Sequence, residues 1–144
     1  MSFVLDASVA LKLAVREEGS EAALALVSAA RSLTAPQFVR VETANVLWKK
    51  VRRGELDEAQ ARAATALIER SFPEFVDDAE LLTRAFALAV ELGHPIYDCL
   101  YLACAERVGR PLVTADRRFF EKTTASRYRG MVQLLAHSTQ SGSA

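Results

Sequence analysis

Four carboxylates in this chain of 144 residues stand where packing alone does not call for them. Asp6 follows the apolar run Phe3-Val4-Leu5, and Asp116 follows Leu112-Val113-Thr114-Ala115. A short buried strand that ends in an acid and turns into a helix puts that acid at the strand's carboxyl end. In open α/β sheets this is where ligands gather. Asp98 opens the stretch Tyr97 to Arg107, a predicted helix that is apolar nearly all round and so belongs in the interior. Glu42 lies early in the helix expected from Phe38 to Arg53. It is off the stripe of Ala44, Leu47, Trp48 and Val51 that follows helical periodicity, with Asn45 and Lys49 on its own side. Each acid alone has an ordinary explanation: a helix cap, a charge favoured by a helix dipole, or a solvated surface group. Taken together they would repel and raise one another's pKa unless a counter-charge joins them. No Lys or Arg adjoins Asp6, Glu42 or Asp98 in the sequence. A hard divalent cation fits, because Mg²⁺ takes oxygen ligands, keeps several waters and leaves positions for phosphate oxygens.

The elements that must position these acids alternate between strands and helices. After the Phe3 strand, Val9 to Val15 reads as a helix with Ser8 as its N-cap. Glu21 to Ala30 is a second helix, and Leu33-Thr34-Ala35 is a strand kept extended by Pro36. Gly54 stops the Phe38 helix, and Asp57 with Gln60 forms a capping box for a helix to about Glu69. The connector Phe72 to Val76 carries a short strand, and Asp77 or Asp78 caps a helix that ends at Leu92-Gly93. Leu112 begins a strand, Arg117 to Glu121 a short helix, and Val132 to Leu135 an edge strand. This order implies an α/β fold with a parallel sheet and helices on both faces. Residues 1–137 are expected to form one domain, and the Ser/Gly-rich 138–144 a disordered tail.

Bulk properties narrow the classes. Hydrophobic residues make up 51% and charged residues 25%, with formal net charge zero. That is an ordinary globular composition, not a chain coated in positive charge, and a local basic patch still permits nucleic acid. Cys99 and Cys104 are five apart on one helix and point to different faces, so no disulfide is expected between them. They read as buried thiols in a reducing compartment, and there is no zinc-type spacing. No signal peptide and no membrane span is evident, and a cytoplasmic location is expected.

The stretches Val4-Leu5-Asp6-Ala7-Ser8, Glu42-Thr43-Ala44-Asn45-Val46-Leu47, Tyr97-Asp98-Cys99-Leu100-Tyr101-Leu102-Ala103 and Leu112-Val113-Thr114-Ala115-Asp116-Arg117-Arg118-Phe119 occur in that order. The chain from Ser2 to about Leu135 thereby resembles the PIN-domain ribonucleases, in particular VapC-type toxins of toxin–antitoxin pairs. The resemblance implies a three-layer α/β/α sandwich, RNA cleavage dependent on Mg²⁺ (or Mn²⁺), and a cognate antitoxin. By motif position it implies that Asp6, Glu42, Asp98 and Asp116 hold the metal and carry catalysis, with Ser8, Asn45 and Thr114 as supporting polar groups. A homodimer or a toxin–antitoxin hetero-oligomer is expected.

In-line attack by metal-activated water would leave a 5′-phosphate and a 3′-hydroxyl. A metal-independent ribonuclease would use a histidine pair instead. Only His94 and His137 exist, and both read as surface or loop residues. The expected RNA track comprises Arg117, Arg118 and Lys49, with Arg52, Arg53, Arg127 and Arg129 as further cations. A phosphorelay receiver would need an acidic pair after the first strand, and a haloacid-dehalogenase-type phosphatase an Asp at position 8. The remaining rival is a catalytically inactive PIN-fold module that binds protein or RNA.

Overall fold

The computed structural model describes residues 1–136, so His137 and the tail expected at 138–144 lie outside the described residues. Five strands form one parallel sheet: β1 (Ser2–Leu5), β2 (Ser32–Pro36), β3 (Glu74–Val76), β4 (Leu112–Thr114) and β5 (Val132–Leu134). Their spatial order is β3-β2-β1-β4-β5. The chain builds outward from β1 to one edge through β2 and β3. It then returns to the other side of β1 to add β4 and β5. The order reverses at β1 and β4, which pair in the register Val4 with Leu112 and Leu5 with Val113. The carboxyl ends of these two strands therefore flank the topological switch point, where a crevice opens in sheets of this kind. Asp6 and Asp116 stand there.

Among the described residues seven helices flank the sheet: α1 (Ala7–Ala14), α2 (Ser20–Ala29), α3 (Phe38–Arg52), α4 (Glu58–Ser71), α5 (Asp78–Leu92), α6 (Ile96–Val108) and α7 (Arg117–Thr124). The expected sandwich is thus present. The α1 helix packs on α2, α3 and α4, whereas α5 packs on α6, and α6 lies against β1, β2 and β4. The burial of α6 explains its all-apolar sequence: Cys99 to Ala105 are buried without a break. Both thiols are buried and unbridged, with their pKa values pushed up by burial to about 11 for Cys99 and about 12 for Cys104. The capping box at Asp57 and Gln60 forms, and Asp77 caps α5. No helix among the described residues is long and apolar enough to cross a membrane.

Two local expectations are corrected. Ser8 does not cap α1. The helix starts two residues sooner, at Ala7, so Asp6 is the N-cap and its carboxylate accepts from the Val9 backbone N–H. The buried stripe of α3 is also turned. It consists of Val39, Thr43 and Leu47, while Ala44 and Trp48 face outward, Trp48 with 54% exposure. Thr43 can occupy a core position because its hydroxyl donates to the Val39 carbonyl at 2.7 Å. The exposed indole is covered in part by the Arg52 guanidinium, 5.5 Å from its ring centre.

Candidate active site

Asp6 is the most constrained acid. Only 4% of it is exposed. Its Oδ1 accepts from the Ser8 hydroxyl at 2.5 Å and from the Val9 N–H at 3.2 Å, and its Oδ2 accepts from the Thr114 hydroxyl. A carboxylate offers about four acceptor positions, so three bonds leave roughly one open. Burial raises the Asp6 pKa from 3.8 to about 7, against the opposing pull of the three donors, and the nearby charge of Asp98 raises it further. Ser8 also accepts from the Ala115 N–H at 2.9 Å, and Thr114 Oγ1 accepts from the Asp116 N–H at 3.0 Å. Two hydroxyls thus lace the β1–α1 turn to the β4–α7 turn. Ser8 and Thr114 each donate a hydroxyl hydrogen bond to Asp6.

Asp116 caps α7 through Oδ1, which accepts from the Phe119 N–H at 3.2 Å. Its second oxygen has no hydrogen-bond partner among the described residues. For both strand-end acids, capping and a functional role are compatible, because one carboxylate can do both.

Glu42 is delivered by α3, whose start is fixed from a distance. Gln37 makes no side-chain cap; instead Asp78 of α5 accepts from the Phe38 N–H at 3.0 Å. Phe38 stacks on Tyr97 at 5.6 Å and lies 6.4 Å from Tyr101, so the start of α3 is fastened to the start of α6. The Tyr101 hydroxyl, in a fully buried residue, donates to Glu42 Oε1 at 2.7 Å. Burial raises the Glu42 pKa; the Tyr101 bond opposes this and the Asp98 charge adds to it. Tyr101 itself is held strongly in its neutral form by burial and by the Glu42 charge.

Asp98 is half-buried in the first turn of α6, and its charge is felt by Asp6, Glu42 and Tyr101. His94 Nε2 lies 2.5 Å from Asp98 Oδ2. His94 lies in the loop between α5 and α6, as expected, but its side chain is only 11% exposed and it contacts Asp98, so it is not a surface residue. Sequence reading missed His94 and Tyr101 as site residues. The spacing of four between His94 and Asp98 in one turn was the available signal for the first.

The structure therefore brings Asp6, Glu42 and Asp98 into one electrostatic neighbourhood and joins Asp116 to it through Thr114. It does not bring Asn45 there. Asn45 is exposed on α3 and makes no hydrogen bond to the four acids. Lys49, Arg117 and Arg118 are exposed, and none forms an ion pair among the described residues.

Among the described residues no group of three or more His, Cys, Asp or Glu side chains is gathered closely enough to hold a metal ion by itself. An open site that binds Mg²⁺ through one or two carboxylates and several waters needs none. Asp98 Oδ1, Glu42 Oε2 and Asp116 Oδ2 each lack a hydrogen-bond partner among the described residues. No Lys or Arg there pairs with any of the four acids. Oxygen donors in excess of positive charge fit a hard cation.

A five-stranded parallel sheet in the order β3-β2-β1-β4-β5, flanked by helices, with Asp6 and Asp116 at its switch point, defines an α/β protein. Residues 3–125 match the PIN domain model, and the chain belongs to that family. It is 41% identical over 127 residues to a protein of Pyrobaculum aerophilum named Ribonuclease VapC3, covering 87% of this chain and 97% of that one. The fold is similar to the crystal structure of PAE2754 from the same organism, with TM-score 0.68 and 28% identity, covering 88% of this chain and 82% of the other. It is also similar to Mycobacterium tuberculosis VapC20, described as a sarcin–ricin loop cleaving toxin, with TM-score 0.64, 19% identity, and 81% and 92% coverage. That last likeness bears on the fold alone.

Proposed function

We propose that the chain is a metal-dependent endoribonuclease that acts as the toxin of a type II toxin–antitoxin system. One observation carries this: Asp6, buried at the switch point with its pKa raised to about 7, shares its surroundings with Glu42 and Asp98, and no cationic side chain among the described residues pairs with it. The name of the VapC3 relative supports the choice of RNA as substrate.

In this reading Asp6, Glu42, Asp98 and Asp116 hold Mg²⁺ or Mn²⁺. When bound, the cation lowers the pKa of a water and offsets charge on the scissile phosphate. The protein's own groups prepare the site. Ser8 and Thr114 fix Asp6, and Tyr101 fixes Glu42. Arg117 and Arg118 occupy the first turn of α7, directly after Asp116, and offer phosphate contacts that no carboxylate competes for. Lys49 extends a second cationic strip along α3 with Arg52 and Arg53, which with Trp48 line a shallow cleft of about 360 Å³. An antitoxin would cover the acid site, and an Arg side chain is the group best suited to take the cation's place. Assembly as a homodimer or as a toxin–antitoxin hetero-oligomer belongs to the same proposal.

The test uses linear and covalently closed circular RNA, with Mn²⁺ or Mg²⁺ and with chelator. Nicking of the circle, dependent on metal and leaving 5′-phosphate ends, is expected. Asp98→Asn should abolish cleavage while RNA binding stays intact or tightens, because a negative charge near the phosphate is removed. Expression of the chain alone should slow growth, and Asp6→Ala should relieve this. Tight Mn²⁺ binding without cleavage of any RNA, and harmless expression, would instead indicate an inactive binding module.

A further inference from the structure

We infer that His94 is the positioning residue for Asp98: its imidazole fixes that carboxylate and ties it to α7, the helix that Asp116 caps. The inference rests on the reading of Asp98 as a metal ligand given above. Each of the other three acids is held by groups outside its own side chain. Asp6 has three donors, Glu42 has the Tyr101 hydroxyl, and Asp116 has the Phe119 N–H. Among the described residues, the only hydrogen bond of the Asp98 side chain is the one to His94 Nε2. For Asp98 to ligate a cation it must be deprotonated, so the shared proton lies on Nε2 and the imidazole donates. That bond engages Oδ2 and leaves Oδ1 available.

The imidazole is itself locked. Gly93 ends α5 in the left-handed region at φ 60°, which turns the chain so that His94 and Pro95 lead into α6. The His94 ring packs against Phe119 with centroids 4.9 Å apart, and Phe119 is 1% exposed. Three residues along α7, Lys122 Nζ donates to the Gly93 carbonyl at 2.7 Å. The turn that carries His94 is thus clasped to α7 at one apolar point and one polar point. Phe119 is also the residue whose N–H is bound by Asp116. Asp98 and Asp116, on different helices, are set relative to each other through His94 and Phe119. Outer groups that hold ligating carboxylates in place are typically worth roughly 10- to 100-fold in metal affinity.

The experiment titrates Mn²⁺ calorimetrically into metal-free protein at pH 8, without RNA, alongside the metal-free melt. His94→Leu keeps an apolar contact with Phe119 and removes the donor. His94→Gln keeps an N–H donor of similar reach. The expected results are a roughly tenfold or greater loss of Mn²⁺ affinity in His94→Leu and substantial recovery in His94→Gln. The metal-free melting temperature should be nearly unchanged. In cleavage assays at limiting Mn²⁺, kcat should fall while the KM for RNA stays put, and excess Mn²⁺ should restore the rate. In an Asp98→Asn background, His94→Ala, which removes the donor, should lower Mn²⁺ affinity far less than it does in the wild type, because the two residues act as one unit. That cycle decides the matter if His94→Leu does not fold. Wild-type affinity in His94→Leu, or a His94→Ala effect that is undiminished in the Asp98→Asn background, would overturn the inference. Wild-type protein that binds Mn²⁺ but leaves RNA intact would sink only the ribonuclease reading, and the His94→Leu titration would still stand as the test. Wild-type protein that binds neither Mn²⁺ nor Mg²⁺ would overturn both.

Discussion

Asp6 shows at the scale of one residue why the site needs a partner. A carboxyl whose pKa rises on folding keeps a proton that the unfolded chain has already lost. For Asp6 that window runs from about 3.8 to about 7, so its contribution to stability falls as pH rises across the window and levels off above it. At about 1.4 kcal/mol per unit, ionising this group in the folded chain without a cation costs roughly 4 kcal/mol. Under the proposed function Mn²⁺ binds the ionised form, so cation and proton compete. Melting curves should show a clear rise in Tm with Mn²⁺ at pH 8 and little or none at pH 5.5. An equal rise at both values would show that Asp6 ionisation is not linked to the metal. Asp6, Asp116 and Asp98 stood out in the sequence because their signal is local: a polar group at the end of an apolar strand or at the head of an apolar helix. Glu42, off the apolar stripe of its helix, carried no such signal. Tyr101 was not legible as a site residue. Its partner Glu42 is 59 residues away, and in sequence it is one more member of an apolar run.

Elements carry the second kind of information, and here the reading was less even. Strand and helix boundaries followed local chemistry closely: the Asp57–Gln60 capping box, Gly93 after α5, and Pro36 at the end of β2. The rotation of α3 did not, since periodicity treats Trp48 as core and Thr43 as surface. Thr43 satisfies its hydroxyl within the helix, so it can be buried at little cost, and an aromatic ring stacked under Arg52 tolerates water. The cap of α3 was equally out of reach, because Asp78 supplies it across 40 residues. The α7 helix gives a prediction that belongs to its first turn. If Arg117 and Arg118 each bind one phosphate, the log–log salt dependence of RNA affinity should flatten by about 0.7 for each one replaced by Ala. Binding should weaken with little change in sequence preference, as measured by fluorescence anisotropy across a salt series. Lys49→Ala tests the α3 strip in the same way. Unchanged slopes for Arg117→Ala and Arg118→Ala would move the RNA path away from Asp116.

At the scale of the whole molecule, the alternation of strands and helices pointed to a parallel sheet, but the order of the strands was not written in any local pattern. That order makes β1 the central strand, bounded by β2 and β4, and its residues Val4 and Leu5 have no exposed surface. Leu5→Ala should therefore cost about 2–5 kcal/mol in chemical denaturation, with loss of metal binding only in proportion to the unfolded fraction. A loss of metal binding in fully folded Leu5→Ala protein would show that the strand tunes the acids directly.

The hydroxyl of Thr114 reaches Asp6 across 108 residues of sequence. During synthesis, a chain that has released β1, α1 and even the whole of α3 from the ribosome still lacks the strand that completes its acid site. At about 5–20 residues per second the interval lasts several seconds. Throughout that time the nascent protein sits beside the ribosome's own RNA with its site unassembled. Under the proposed function, a centre split between β1 and β4 delays its danger until β4 has left the ribosome.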